Sequence, residues 1–159
     1  LSIRRQRQMC IRDSYVLRAI TEVMRNEVAD AVRQEWIAMM EKNVYGVYEP
    51  YSYERRHKYG GLADPRNIQI VSEKVAADSA AIVMENLTKG QGWDHYYGDL
   101  INTMIESADG FAGNSALGMP KRPYTEEAVD FMTKGIGRNT ILDALTSGLA
   151  RRGININIK

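Results

Sequence analysis

The chain has 159 residues, with 21 Lys plus Arg against 20 Asp plus Glu, a formal net charge of +1 and a single cysteine. That length suits one domain burying roughly two-thirds of its unfolded surface, and the near balance of charge argues against a dedicated nucleic-acid binder. A lone cysteine excludes an internal disulfide framework and a thiolate metal cluster, and no apolar run approaches the length of a membrane span.

Residues 1–14 stand apart from the rest. Arg4-Arg5-Gln6-Arg7-Gln8-Met9-Cys10-Ile11-Arg12-Asp13 matches the translation of the transposase read-one sequencing adapter, codon for codon, and Ser14 completes it. The expectation is that 1–14 is adapter-derived and not native, that the native N-terminus is truncated, and that 15–159 is a single α+β domain. On that reading Cys10 drops out. The 21 basic and 20 acidic residues become 17 and 19, a net of −2, because four Arg and one Asp are removed.

Residues 16–43 read as one long amphipathic helix. Leu17, Ile20, Met24, Val28, Ala31 or Val32, Trp36 and Met39 or Met40 recur at spacings of three and four, which puts them on one helical face. Arg18–Glu22 and Asp30–Arg33 stand at supporting distances on the other face. At 1.5 Å per residue this helix would run roughly 40 Å, long enough to lie across a sheet or project toward a partner.

Val44 to Asn67 carries the strongest signal. Five tyrosines (Tyr45, Tyr48, Tyr51, Tyr53 and Tyr59) interleave with Arg55, Arg56 and Lys58, and Gly60-Gly61 follows. Pro50 and Pro65 bracket a loop, and the glycines predict a sharp turn with positive φ. Tyr and Arg dominate contact surfaces because each offers a large rigid area with a polar tip. Base stacking over a basic groove is a second reading, although Glu49, Glu54 and Asp64 are interspersed. In the blander reading some of these tyrosines cover the sheet with their hydroxyls at its rim.

Ile68, Ile70 and Val75 alternate with polar neighbours, and Ala80–Leu87 forms a second extended run after a turn at Asp78-Ser79. Together they predict a small antiparallel sheet. A helical face at Leu100, Ile101, Met104, Ile105 and Ala108 follows, and then a Gly/Ser/Asn/Pro-rich loop over 109–123. Pro123 with Glu126 and Glu127 marks a helix start, its apolar side being Ala128, Val129, Phe131 and Met132. Asn139 is the expected cap of a last helix with Ile141, Leu142, Leu145 and Leu149 inward, closed by Gly153. Ile154, Ile156 and Ile158 alternate with Asn155 and Asn157, which predicts a final strand.

Catalytic chemistry is sparse. His57 and His95 have no second His or Cys at ligand spacing, so neither a metal nor a cofactor is expected. Asp94, His95 and Glu106 are the least implausible site for a small enzyme, and a solvated or packing histidine is the simpler reading. The glycine pairs at 90 and 92 and at 135 and 137 lack the phosphate-loop spacing and its Lys-Ser/Thr ending. Glu54 and Asp64 beside Arg55 and Arg56 read as salt-bridged surface. No enzyme activity is expected.

Tyr45…Tyr48-Glu49-Pro50…Tyr53-Glu54-Arg55-Arg56…Gly60-Gly61-Leu62…Asp64, followed by two short strands, resembles a recurrent segment of small virion proteins of long-tailed bacteriophages and prophages. Leu100-Ile101…Ile105-Glu106 and Pro120-Lys121-Arg122-Pro123-Tyr124-Thr125-Glu126-Glu127-Ala128 resemble the latter half of the tail-component family. These are the gene-product-ten-like head–tail joining and tail-completion neck proteins. Arg122-Pro123-Tyr124 is similar to the family's Arg-Pro-aromatic opening of the last helical region, with Tyr for the commoner Phe. Glu106-Ser107-Ala108-Asp109-Gly110 departs from the acidic-Gly-Thr element that often precedes the loop.

The resemblance implies an α+β fold, with a long N-terminal helix on a small antiparallel sheet and C-terminal helices. It implies a non-enzymatic ring subunit, hexameric in the family, joining phage connector and tail proteins in a virion assembled in the host bacterial cytoplasm. A neighbouring neck or minor-capsid role, or a nucleic-acid-binding module using the 45–59 loop, is the alternative. A ring subunit needs two complementary faces. Tyr48, Tyr53, Arg55, Arg56 and Leu62 are the expected contact residues of one, together with Arg122 and Tyr124, and the loop 109–123 is expected to order on docking.

Overall fold

The computed structural model describes residues 2–47, 56–76, 78–89, 105–106 and 121–158. Its first element is a single helical rod. Helix α1 (Ser2–Val23) runs through a π-helical turn (Met24–Val28) into α2 (Ala29–Met40) and a second π turn (Glu41–Tyr45). The rod starts earlier than the expected residue 16, because the Arg-, Gln- and Met-rich stretch ahead of it is built from good helix formers and extends an existing helix cheaply. No Gly or Pro interrupts it before Gly46. The pairs Arg18–Glu22 and Arg33–Asp30 both form.

The first π turn has a packing reason. Val23 and Val28 are both buried, yet an α-helix would set residues five apart about 140° from each other. One wider turn returns Val28 to the buried side, so the apolar stripe stays continuous over the rod's length.

After a short 3₁₀ turn (Pro65–Asn67), β1 (Ile68–Val75) and β2 (Ala80–Asn86) form a two-stranded antiparallel sheet. Ile68 pairs with Asn86 and Val75 with Ala80, with an irregularity between Ile70 and Ser72. Ala76 N–H donates to Ser79 C=O and closes the hairpin at the expected turn. Arg25 reaches from the rod to Glu73, and Arg33 Nε donates to the Ile68 carbonyl at 3.0 Å. These contacts seat the hairpin on the helix.

Helices α3 (Tyr124–Lys134) and α4 (Gly137–Arg151) complete the fold. Pro123 stands immediately before α3, and the Glu106 carboxylate accepts from Thr125 N–H at 2.5 Å, so an acid sits on the helix's positive end. Asn139 lies inside α4 and does not cap it. The helix starts at Gly137, where a Cβ would come within 2.5 Å of the Phe131 ring. Gly153 closes the helix at φ 75° as expected. Val129, expected inward, is exposed. Of the helix read over 100–108, only Ile105 and Glu106 lie among the described residues, and both are helical.

The predicted strand 154–158 does not form. Its alternation supplies a face, but a strand also needs a neighbour for its backbone, and none of the described residues pairs with it.

Among the described residues, two apolar clusters stand out. Met40, Val44, Leu62, Ile68, Ile105 and Tyr124 make one, where the rod, sheet base and α3 meet. Ala19, Val23, Val28 and Leu149 make the other, between the rod and α4. Here the helices approach closely, since a Cβ on Gly148 would lie 2.6 Å from Val23 Cγ1. The result is an α+β fold with a long helix against a small antiparallel sheet.

Candidate functional site

Between the rod and β1 the chain makes a tight loop, residues 56–64, whose backbone is tied down almost atom by atom. At its centre the Asp64 carboxylate is fully buried. It accepts Gly60 N–H at 2.6 Å, Arg66 N–H at 3.0 Å and the Arg66 guanidinium at 2.6 Å. The Arg66 side chain, followed by the Gly60 amide, holds this carboxyl well below the usual carboxylate range. Asp64 also caps the 3₁₀ turn, with Pro65 at its first position.

Carbonyls that a loop would otherwise leave open are met by side chains. Tyr45 Oη donates to Arg56 C=O at 3.2 Å and accepts Leu62 N–H at 3.1 Å. Arg56 donates from one guanidinium nitrogen to Gly60 C=O at 2.9 Å and from the other to Lys89 C=O at 2.7 Å. Asn67 and Thr88 both donate to Gly61 C=O, and Asn86 donates to Leu62 C=O at 2.9 Å. Gly60 takes φ 75°, as the Gly-Gly pair predicted. Gly61 is needed for space, because a Cβ there would sit 1.4 Å from Arg56 O.

This frame presents Tyr59, which is 86% exposed at the crest of the turn, with Lys58 and Arg66 exposed beside it. Behind it His57 Nε2 lies 2.6 Å from Glu41 Oε2, and its ring meets Tyr45 edge-on with centroids 4.3 Å apart. The His57–Glu41 pair joins the loop to the second π turn of the rod. Among the described residues there is no group of three His, Cys, Asp or Glu side chains placed to hold a metal ion, and no helix is long and apolar enough to cross a membrane.

The sequence-predicted contact residues part company here. Leu62 and Tyr124 are buried together in one core cluster, and Arg122 is also buried. All three are buried within the chain. Burial, with Glu106 nearby, pushes the Tyr124 hydroxyl pKa up. Arg56 spends both ends of its guanidinium bracing the loop. Asp64 pairs with Arg66 and not with Arg56. Tyr48, Tyr53 and Arg55 lie outside the described residues, as do Asp94, His95 and most of the loop 109–123.

Tyr59 is the residue that reading by composition passed over. Its signal was positional. A tyrosine directly before Gly-Gly sits at the crest of the turn, where the chain reverses and a side chain has no interior to point into.

The YomN family model matches residues 10–151, and the chain belongs to this phage-derived family. No curated protein and no solved structure matches it.

Proposed function

We propose that the chain is a non-enzymatic virion protein, a neck or tail-completion subunit that joins tail to head connector through protein–protein contacts in a ring. Membership of a phage-derived family supports the phage setting. The observation that carries the contact reading is Tyr59, a nearly fully exposed aromatic on a loop braced by Asp64, Arg56, Tyr45 and Thr88. An aromatic anchor on a preorganised loop loses little conformational freedom when it docks, and so keeps most of its contact energy.

The neighbouring Lys58 and Arg66 are exposed as well, which is the feature a nucleic-acid reading would use. Against it, the Arg66 guanidinium is engaged by Asp64 and that of Arg56 by two carbonyls. Fewer cations remain to track a phosphate backbone.

The test is the solution mass of the full chain by light scattering over a concentration series, with a Tyr59→Ala variant alongside. Ring-sized assembly that the variant weakens supports the neck subunit with this loop as an interface. A monomer that binds DNA with a steep salt dependence moves the function to the nucleic-acid module.

A further inference from the structure

Helix α3 has two sides of opposite character. Tyr124 and Ala128 are buried, and Thr125 and Glu127 are tied to the rod through Trp36, Asn43 and Lys42. Glu126, Val129, Asp130 and Thr133, at spacings of three and four, share the outward side, and all four are exposed. Val129 is 50% exposed there, and Ile136, in the turn beyond the helix, is 77% exposed. The face thus sets an apolar side chain beside two carboxylates one turn apart. Like charges at that spacing repel, and a cation brought between them relieves the repulsion.

The Tyr59 loop carries the counterpart, an aromatic ring at 86% exposure with the exposed Lys58 and Arg66 beside it. Both faces already hold ion pairs of their own. Asp64 engages Arg66, while Lys121 stands 3.7 Å from Glu126 and Lys134 2.8 Å from Asp130. The two lysine pairs lie on the exposed surface, where such pairs contribute little. Replacing them by cations from another molecule therefore forfeits little.

We infer that the Tyr59 tip of one copy docks on the outward face of α3 of a second copy, the ring over Val129 and Lys58 and Arg66 toward Glu126 and Asp130. The occupant is a second copy because this chain carries both halves of the match, an aromatic flanked by cations on one element and an apolar residue flanked by carboxylates on another. One chain does not make the contact with itself. The bonds of Asp64, Arg56 and Tyr45 fix the loop with Tyr59 held out, and a ring so exposed is not packed on its own α3. Tyr59 and Val129 supply the apolar centre, and the charges around them set orientation. Two different faces on one chain make a heterologous contact, which closes into a ring or propagates. This rests on the self-association proposed above and names the surface that receives its loop.

The experiment follows association of the full chain by light scattering, with two variants that each block one half. Tyr59→Ala removes the tip and keeps the α3 face. Val129→Lys sets a cation where Lys58 and Arg66 would arrive and keeps the tip. Both positions are exposed, and thermal melts matching the parent's establish folding; if Val129→Lys melts lower, Asp130→Lys takes its place. Each variant alone should raise the concentration needed for association by about tenfold or more. Mixed one to one, the two should form a dimer and stop there, because the intact tip of one meets the intact face of the other and the remaining halves are blocked. A folded Val129→Lys or Asp130→Lys that associates like the parent, with Tyr59→Ala weakened, would overturn α3 as the receiving face and leave self-association through Tyr59 standing. A mixture that stays monomeric overturns the pairing of these two faces. A parent that is monomeric at every concentration overturns this contact and the self-association together.

Discussion

Glu27 and Arg152 meet at 2.8 Å across 125 positions of sequence, and Arg151 donates to the same carboxylate oxygen at 2.9 Å. The pair joins the first π turn of the rod to the last turn of α4, beside the close approach of Gly148 to Val23. Burial alone would raise the Glu27 pKa, but the hydrogen bonds from Arg152 and Arg151 outweigh it and hold the carboxyl at about 2, down from 4.5. A depressed acid contributes stability above its unfolded pKa and loses it on acidification. Urea denaturation should therefore show stability falling as pH drops from about 4.5 toward about 2, by up to about 3 kcal/mol from this group. Asp64 shifts in the same direction and adds to the acid limb. In Glu27→Gln that limb should shrink, and an unaltered pH profile would remove Glu27 from the account.

Asp64→Ala should cost about 1–3 kcal/mol, because the part-buried amides of Gly60 and Arg66 lose their acceptor. Asp64→Asn keeps one acceptor oxygen and should cost less. Chemical denaturation of the two variants checks the order.

Gly61→Ala should destabilise more than Gly60→Ala, although only Gly60 has positive φ. At 60 the alanine meets open space and pays the left-handed backbone cost of roughly 1–2 kcal/mol. At 61 it meets the Arg56 backbone, which cannot move without breaking the Tyr45 and Lys89 contacts. Thermal melts of both proteins decide this.

Tyr124→Ala should cost about 3–5 kcal/mol and Leu62→Ala about 2–5 kcal/mol, because both empty the same buried cluster. Tyr59→Ala should stay within about 0.5 kcal/mol of the parent, as an exposed residue does. A Tyr59 variant that loses assembly with an unchanged melt separates contact from folding, which the other two cannot do.

The elements that repeat a period were legible without coordinates. Ile141 to Leu149, the Ile68–Ile70 alternation and the rod from Leu17 to Met40 each carry their partner's side in their own spacing. Gly153 and the Gly60-Gly61 turn were legible too, because glycine's freedom is a local property. Arg56, Leu62, Arg122 and Tyr124 were not legible, since a Tyr or Arg has the same composition whether it packs, braces or projects. Only the position of Ile105, Met40 and Ile68 around Tyr124 makes it a core residue.

By itself the sequence determined the helices, the hairpin and its turn, all of which follow from the backbone preferences of neighbouring residues. Tertiary structure alone decided where those preferences were overruled. The rod needed one wider turn, Met24–Val28, to keep Val23 and Val28 on one side, a demand set by α4 and not by the helix. The Ile-Asn repeat at 154–158 satisfied every local rule for a strand and stayed unpaired, because a strand is completed by a neighbour's hydrogen bonds and local sequence does not encode the neighbour.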